Sequence, residues 1–453
     1  MGWFRSYYCN KFKVNLQNSF SSHLMSNIFM FQIYRKILLI VSVTLVVYYE
    51  IGLFYSIYCL SLPSNPRYPY INRYLHDGWL GRMDLSDHQH RFFRNSMGML
   101  SVVMALHTFI SFLFKSHFKV FTSIFSIIFI FALHGVNAFK ILFLVAINFA
   151  ITKQFGKTNA GVIGLWIWHI SMILTMEQLD FKLPYFQGIV TQWIVYYKFN
   201  ILRMISFTMD HKWTNKYELI DKKDVDEQRF RITTPCNDYT FLTYFRYVLY
   251  PPLYLAGPII TFNDFVHQQT KVSQNKIIKN GKEIFFYALR LAAILLFMEF
   301  FARYVYVNAI SKDGKQFGFH GYSSIQLCII GYLALMHIWL KLLVLWRFFR
   351  LWAMMDGIET PENMTKCMSN NYSPMNFWKH WHRSFNKWIV RYLYIPLGGN
   401  KTYIWNIWIV FTFVALWHDI ELKLLIWGWV IALFIVPEYL CKSVFKKYTV
   451  IND

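Results

Sequence analysis

Met375-Asn-Phe-Trp-Lys-His-Trp-His-Arg-Ser-Phe-Asn-Lys-Trp-Ile-Val-Arg-Tyr-Leu-Tyr-Ile-Pro-Leu-Gly-Gly399 is the stretch that decides the fold. Ser373 can cap a helix, and Pro374 suits its first position. Pro396 and the Gly398-Gly399 pair can stop it, which predicts one helix over 374–396. Along that helix Trp378, Trp381, His382, Phe385, Ile389 and Tyr392 recur at helical spacing and form one aromatic face. Lys379, Arg383, Lys387 and Arg391 form a second stripe at i,i+4 spacing. Like charges stacked in this way repel by a few tenths of a kcal/mol per pair. The stripe therefore favours an anionic partner, either lipid headgroups or the phosphates of a coenzyme. Such a helix lies in the membrane interface or lines a cytosolic funnel. His382 shares the aromatic face; taken alone, it reads more readily as a hydrogen-bonded structural histidine.

The second informative stretch is Phe413-Val-Ala-Leu-Trp-His-Asp-Ile-Glu421. His418 ends one apolar run, and the next begins almost at once. Ionisable groups inside membrane segments usually face a cavity or one another. The alternative is an interfacial turn in which His418, Asp419 and Glu421 are solvated.

The rest of the chain supplies the setting. Of 453 residues, 56% are hydrophobic and only 15% charged, against about a quarter in a soluble domain. That excludes a soluble enzyme and a disordered chain alike. Lys+Arg 46 against Asp+Glu 24 leaves a net charge of +22. The basic residues sit in short loops between apolar runs, which argues against nucleic acid and for anchors on an anionic membrane face.

A basic segment, 1–36, precedes a run at 37–60 that is long enough to span and reads as a retained signal-anchor despite Glu50. Residues 61–95 form a polar loop. Apolar runs follow near 97–114, 118–151, 159–176, 186–207, 241–262, 284–310 and 322–349, then 404–417 and 422–436. The hydrophilic stretch 208–240, with Lys222, Lys223, Asp224, Asp226 and Glu227, reads as a solvent loop. These runs predict an all-α polytopic membrane protein with ten to twelve embedded segments and no internal repeat. A membrane domain over 37–441 and a tail over 442–453 complete the expected layout. The six cysteines form no C-x-x-C pair, so no disulfide framework and no metal site are predicted. Met1-Gly2 through Ser6 matches a myristoylation pattern with Cys9 nearby, although a polytopic protein needs no such anchor. Asn363, Asn371 and Asn400 head glycosylation sequons around the 374–396 segment.

Together the two stretches resemble the membrane-bound O-acyltransferase family. Its hallmark is a Trp/Arg-rich helix ending in a Tyr-Ile-Pro-Leu-Gly-Gly-type turn, followed by a histidine in a hydrophobic segment. The matching residues are Trp381-His382-Arg383 through Arg391-Tyr-Leu-Tyr-Ile-Pro-Leu-Gly-Gly399, then Trp417-His418. Within the family the chain is similar to the fungal glycerol-uptake-type proteins, relatives of the Hedgehog acyltransferase branch. Those matches include Ser86-Asp87, Arg91-Phe-Phe-Arg94, Tyr250-Pro-Pro-Leu-Tyr-Leu-Ala-Gly-Pro-Ile260, Trp417 through Leu425, and Pro437-Glu438. His382 occupies a position that is aspartate in the Hedgehog branch and histidine in the bacterial D-alanyl transferase branch.

The resemblance implies a helical core around a central chamber, with the catalytic helix at 374–396 and the histidine-bearing segment at 404–436. It implies a long-chain acyl transfer from acyl-CoA to a lipid hydroxyl, with lyso-GPI anchor lipid or a lysophospholipid as acceptor, in the endoplasmic reticulum membrane. His418 would be the base. His382, with His380 as a lesser candidate, would orient the acceptor or donate to the oxyanion, and Asp419 would support His418. Arg383, Arg391, Lys379, Trp381 and Asn386 would bind the coenzyme and substrate. No cofactor is required, although relatives suggest haem at Cys367. Arg82, Asp84, Asp87, Arg91 and Arg94 read as solvated charges or as an ion-paired loop at the chamber mouth. The competing functions are a proton-coupled glycerol transporter and a Hedgehog-type protein acyltransferase.

Overall fold

A computed structural model describes residues 2–78, 81–180, 186, 188–190, 192–214, 232–273 and 281–449, without the side chains of 2–31, 115, 179, 273 and 446–449. The principal helices, in chain order, are α1 (Gly2–Ser61), α2 (His88–Leu113), α3 (Phe118–His134), α4 (Asn137–Phe155), α5 (Asn159–Leu179), α6 (Trp193–Lys212), α7 (Phe241–Val248) and α8 (Phe262–Ser273). They continue with α9 (Gly281–Tyr304), α10 (Val307–Phe317), α11 (Ser324–Met355), α12 (Pro374–His380), α13 (Arg383–Ile389), α14 (Tyr403–His418) and α15 (Leu422–Thr449). Among the described residues, seven helical stretches are long and apolar enough to cross a bilayer: Gln32–Ser61 of α1 and the helices α2, α4, α5, α9, α11 and α15. The chain is thus a helical, polytopic membrane protein. Other expected embedded segments fall on shorter helices, among them α3, α7 and α14, and on α6, which is long but too polar to count as a span. The side chains of the myristoylation pattern and of Cys9, the charged cluster at 222–227 and the end of the C-terminal tail lie outside the described residues.

The chain divides into two compact units. The first comprises residues 1–87 and 300–335. The apolar part of α1 carries Glu50, whose carboxylate accepts the Tyr332 hydroxyl at 2.6 Å. A polar partner of this kind is what makes an acid tolerable in a span. Two short antiparallel strands depart from the all-helical pattern: β1 (His76–Gly78) and β2 (Gly81–Met83), with His76 opposite Met83. Asp84 is buried, not solvated: it accepts the N–H groups of Asn308 (2.8 Å) and Ala309 (3.0 Å) at the start of α10. Asp313, on α10, is held by Arg67 at 2.8 Å.

The second unit comprises residues 88–299 and 336–453 and contains the family-like motifs. The expected run 118–151 is two helices, because Gly135 (φ +54°) ends α3. A Cβ at that glycine would lie 2.1 Å from the Phe186 carbonyl oxygen, so no other residue fits the turn. The run 241–262 breaks at Pro251-Pro252, which start a one-turn helix over Pro251–Tyr254.

Several buried charged groups inside this unit find polar partners, as a water-free interior requires. Arg203, buried on α6, donates to the Val248 carbonyl at 2.8 Å and to that of Leu253. Asp356 accepts hydrogen bonds from Ser111 (2.6 Å) and Tyr250. The expected solvent loop 208–240 begins inside this core: Thr208 to His211 are the buried last turn of α6. Its buried Asp210 is the counter-charge for Arg391, which explains why a charged residue ends there. Arg94 also pairs within this unit, with Glu299 at 2.6 Å.

Candidate active site

The 374–396 segment starts as expected. Ser373 Oγ accepts the Asn376 N–H at 3.1 Å, as an N-cap does. Ser373 in turn donates to Glu438 on α15, whose other oxygen accepts the Met375 N–H at 2.9 Å.

The single expected helix then fails. α12 ends at His380, Trp381 is extended, and His382 is left-handed at φ 45°, ψ 51°. His382 is the only described non-glycine residue at positive φ. α13 restarts at Arg383 and passes into a π-helical turn over Val390–Tyr394. The break has a visible cause in the buried Asn363. Its carbonyl accepts the Arg383 N–H, and its Oδ1 accepts the Ser384 N–H, both at 3.0 Å. Ser384 Oγ then accepts the Ile259 N–H at 2.9 Å. A left-handed non-glycine residue costs about 1–2 kcal/mol, so it persists only where the surroundings over-determine it.

That backbone turns the His382 ring onto Trp346, stacked at 4.3 Å and 20°, and against Phe385 at 5.1 Å. Phe385 meets Trp417 at 4.6 Å, and Trp417 meets His418 at 4.9 Å. The Trp417 indole is fixed by donating to the Lys198 carbonyl at 2.9 Å. His418 ends α14 in regular helical geometry. Both histidines line one cavity of about 1000 Å³, walled mainly by Trp346, Trp378, Phe385, Phe411, Val414 and Trp427. Two imidazoles in one largely apolar chamber of this size suit proton transfer on a lipid-like substrate.

The profile of the membrane-bound O-acyltransferase family matches residues 157–453, which include the whole of this constellation except the α2 residues that line the cavity, such as Phe93 and Leu100. The chain belongs to that family. It is 43% identical over 431 residues to membrane-bound O-acyltransferase GUP1 of Saccharomyces cerevisiae, covering 88% of this chain and 76% of that one. It is 39% identical over 412 residues to GUP1 of Candida tropicalis, covering 85% and 70%. It is 38% identical over 423 residues to gup1 of Schizosaccharomyces pombe, covering 85% and 72%. As a membrane-bound O-acyltransferase it is an acyl-transferring enzyme, and members of the family use acyl-CoA.

The cavity takes in some of the expected site residues and leaves out others. Lys379, Trp381, Asn386 and Asp419 line it together with His382 and His418. Arg383, Arg391 and His380 do not. Arg391 is buried, 2.9 Å from Asp210, which also accepts the Tyr392 hydroxyl at 3.1 Å. The expected cation stripe is dispersed, because the break at His382 and the π-helical turn rotate its members apart. His380 Nδ1 lies 2.5 Å from the Thr365 hydroxyl instead. Partial burial, then the cations Lys366, Arg383 and Lys379, hold its imidazole below the ordinary value. Asp419 makes no hydrogen bond to His418. Its carboxylate accepts the Ile420 N–H at 2.8 Å and lies 3.8 Å from Lys198 Nζ. Asp419 has already left the helix, in an extended conformation at φ −169°, ψ 159°.

Among the described residues, the cations that line the cavity are Lys198, Lys341 and Lys379. Lys341 donates to Gln89 at 3.1 Å. Sequence reasoning missed Lys198, although a lysine within an apolar run was the signal that could have found it. Cys367 lies outside the cavity, with Sγ 3.7 Å from the Ser369 hydroxyl. Among the described residues no group of three His, Cys, Asp or Glu could hold a metal ion. Two of the three sequons are structural parts of the site: Asn363 pins the helix break, and Ser373 of the second caps α12.

Proposed function

We propose that this enzyme moves a long-chain acyl group from acyl-CoA to a lipid hydroxyl in the endoplasmic reticulum membrane, with a lyso-GPI anchor lipid as acceptor. The observation that carries the reading is the convergence of His382 and His418 on one apolar-walled cavity. The acceptor follows from the resemblance to the fungal branch, and lysophospholipids belong to the same chemical class.

In this reading His418 takes the proton of the acceptor hydroxyl as its oxygen attacks the thioester carbonyl. The carbonyl electrons move to oxygen, and an N–H of His382 donates to that oxyanion. When the tetrahedral intermediate collapses, the carbon–sulfur bond breaks. The proton on His418 passes to the departing coenzyme A thiolate, and the ester stays with the acceptor. The stack on Trp346 and the left-handed backbone hold the His382 ring in place before substrate arrives, so its orientation need not be set during the reaction. Lys379 holds the coenzyme phosphates. Trp381 and Asn386 shape the donor path, and Arg391 acts on the fold through Asp210.

The test is transfer of labelled palmitate from palmitoyl-CoA to lyso-GPI by purified protein in liposomes. Labelled diacyl product is expected from the wild type and not from His418→Ala. Equal turnover by the two proteins overturns the assignment of the base. Transfer to lysophospholipid alone replaces the acceptor.

A further inference from the structure

Lys198 lies on α6, well outside both motifs, yet it grips the histidine-bearing turn from two sides. Its main-chain carbonyl accepts the indole N–H of Trp417 at 2.9 Å. Its side chain, 9% exposed, places Nζ 3.2 Å from Glu177 Oε1 on α5 and 3.8 Å from Asp419 Oδ1. The neighbouring Phe199 ring packs edge-on against Trp417 at 5.3 Å. Three successive residues, Trp417, His418 and Asp419, are therefore flanked by contacts to one lysine. Glu177, Lys198, His418 and Asp419 all line the cavity.

A buried lysine is expensive in a membrane domain unless it is paired, and a leucine or methionine would fill the same space without that cost. Here the ammonium ties α5 and α6 to the turn that follows His418, whose other hydrogen bonds are local, such as that of the Ile420 N–H to Asp419. Asp419 is extended, and the next helix does not begin until Leu422. The clamp adds a side-chain tie at Asp419 to the one the Trp417 indole makes with the Lys198 carbonyl.

We propose that Lys198 is a positioning residue for acyl transfer, bridging Glu177 and Asp419 so that the His418 ring is held at the reacting hydroxyl. The proposal rests on His418 being the base. It assigns Lys198 a role through His418 and none in binding either substrate. A misplacement of a reacting group by about 1 Å can cost on the order of 10²-fold in rate.

The experiment measures coenzyme A thiol release from palmitoyl-CoA by full-length protein in proteoliposomes of microsomal lipid extract, which supplies the acceptor whatever its identity. Lys198→Met keeps the aliphatic stem and is expected to lower kcat by about 10–10²-fold with KM for palmitoyl-CoA within roughly twofold. Lys198→Arg, which can still bridge the two carboxylates, is expected to recover most of that loss. Thermal unfolding of each variant in detergent identifies any misfolded protein, and the ratio of Arg to Met variants then decides the matter. The proposal is overturned by an unchanged kcat in Lys198→Met, by an arginine variant no better than the methionine one, or by a raised KM at constant kcat. The last result would make Lys198 a substrate-binding group. His418→Ala in the same assay separates the two ideas. If it releases thiol like the wild type, the base assignment fails; if it is silent while Lys198→Met is normal, only the clamp fails.

Discussion

The two histidines reach the same cavity by opposite routes. His418 sits at the end of an ordinary helix, and its ring is placed by where α14 stops. His382 sits at a break, in a conformation that costs about 1–2 kcal/mol, and is held there by Asn363 and by the stack on Trp346. One group is positioned by regular structure and the other by strain that its neighbours sustain. A catalytic group can be set either way, but only the first way leaves a trace in hydrophobic periodicity.

The contrast predicts different penalties. His418→Ala removes the proposed base and little else. Transfer should fall by about 10³–10⁴-fold while thermal unfolding is nearly unchanged, measured on the same purified sample. Arg391→Met leaves Asp210 buried without its counter-charge and should cost about 3–5 kcal/mol of stability. Lys379→Met, at an exposed cavity position, should instead raise KM for acyl-CoA and leave unfolding alone. An Arg391→Met protein that is stable but binds donor poorly would restore the helical stripe and remove the contrast.

His382→Gly separates ring from backbone. Glycine accepts the left-handed geometry without penalty. Transfer should drop by about 10²–10³-fold, as for loss of one oxyanion donor, with unfolding temperature equal to or above that of the wild type. A lower unfolding temperature would mean that the ring's stack on Trp346 contributes more than the left-handed backbone costs. The smallest effect belongs to the start of the segment. Ser373→Ala removes the cap of α12 and should cost about 1 kcal/mol in unfolding experiments, with kcat preserved.

The same contrast explains what was legible from the chain. Apolar runs gave the spanning helices, because their length and composition are local properties. Ser373 and Pro374 marked the start of α12, because a cap is chosen by its nearest neighbours. His418 was readable from the Trp417-His418 pair and the family resemblance. The break at His382 was not, since its cause lies in Asn363, nineteen positions earlier by subtraction of the numbers, and in Ile259 on another element. The cation stripe misled for the same reason: an i,i+4 pattern assumes an unbroken helix, and Arg391 answers to Asp210 on α6. Lys198 was visible only as an oddity, a charge in an apolar run whose partners come from α5 and the turn after α14.

If one cavity unites the two histidines in a single reaction, they should not act independently. Acyl transfer measured for His418→Ala, His382→Gly and the double variant tests this. The double variant is expected to lose no more than about tenfold beyond His418→Ala alone, because groups that serve one step are strongly non-additive. Losses that multiply in full would show two separate contributions and contradict the shared site.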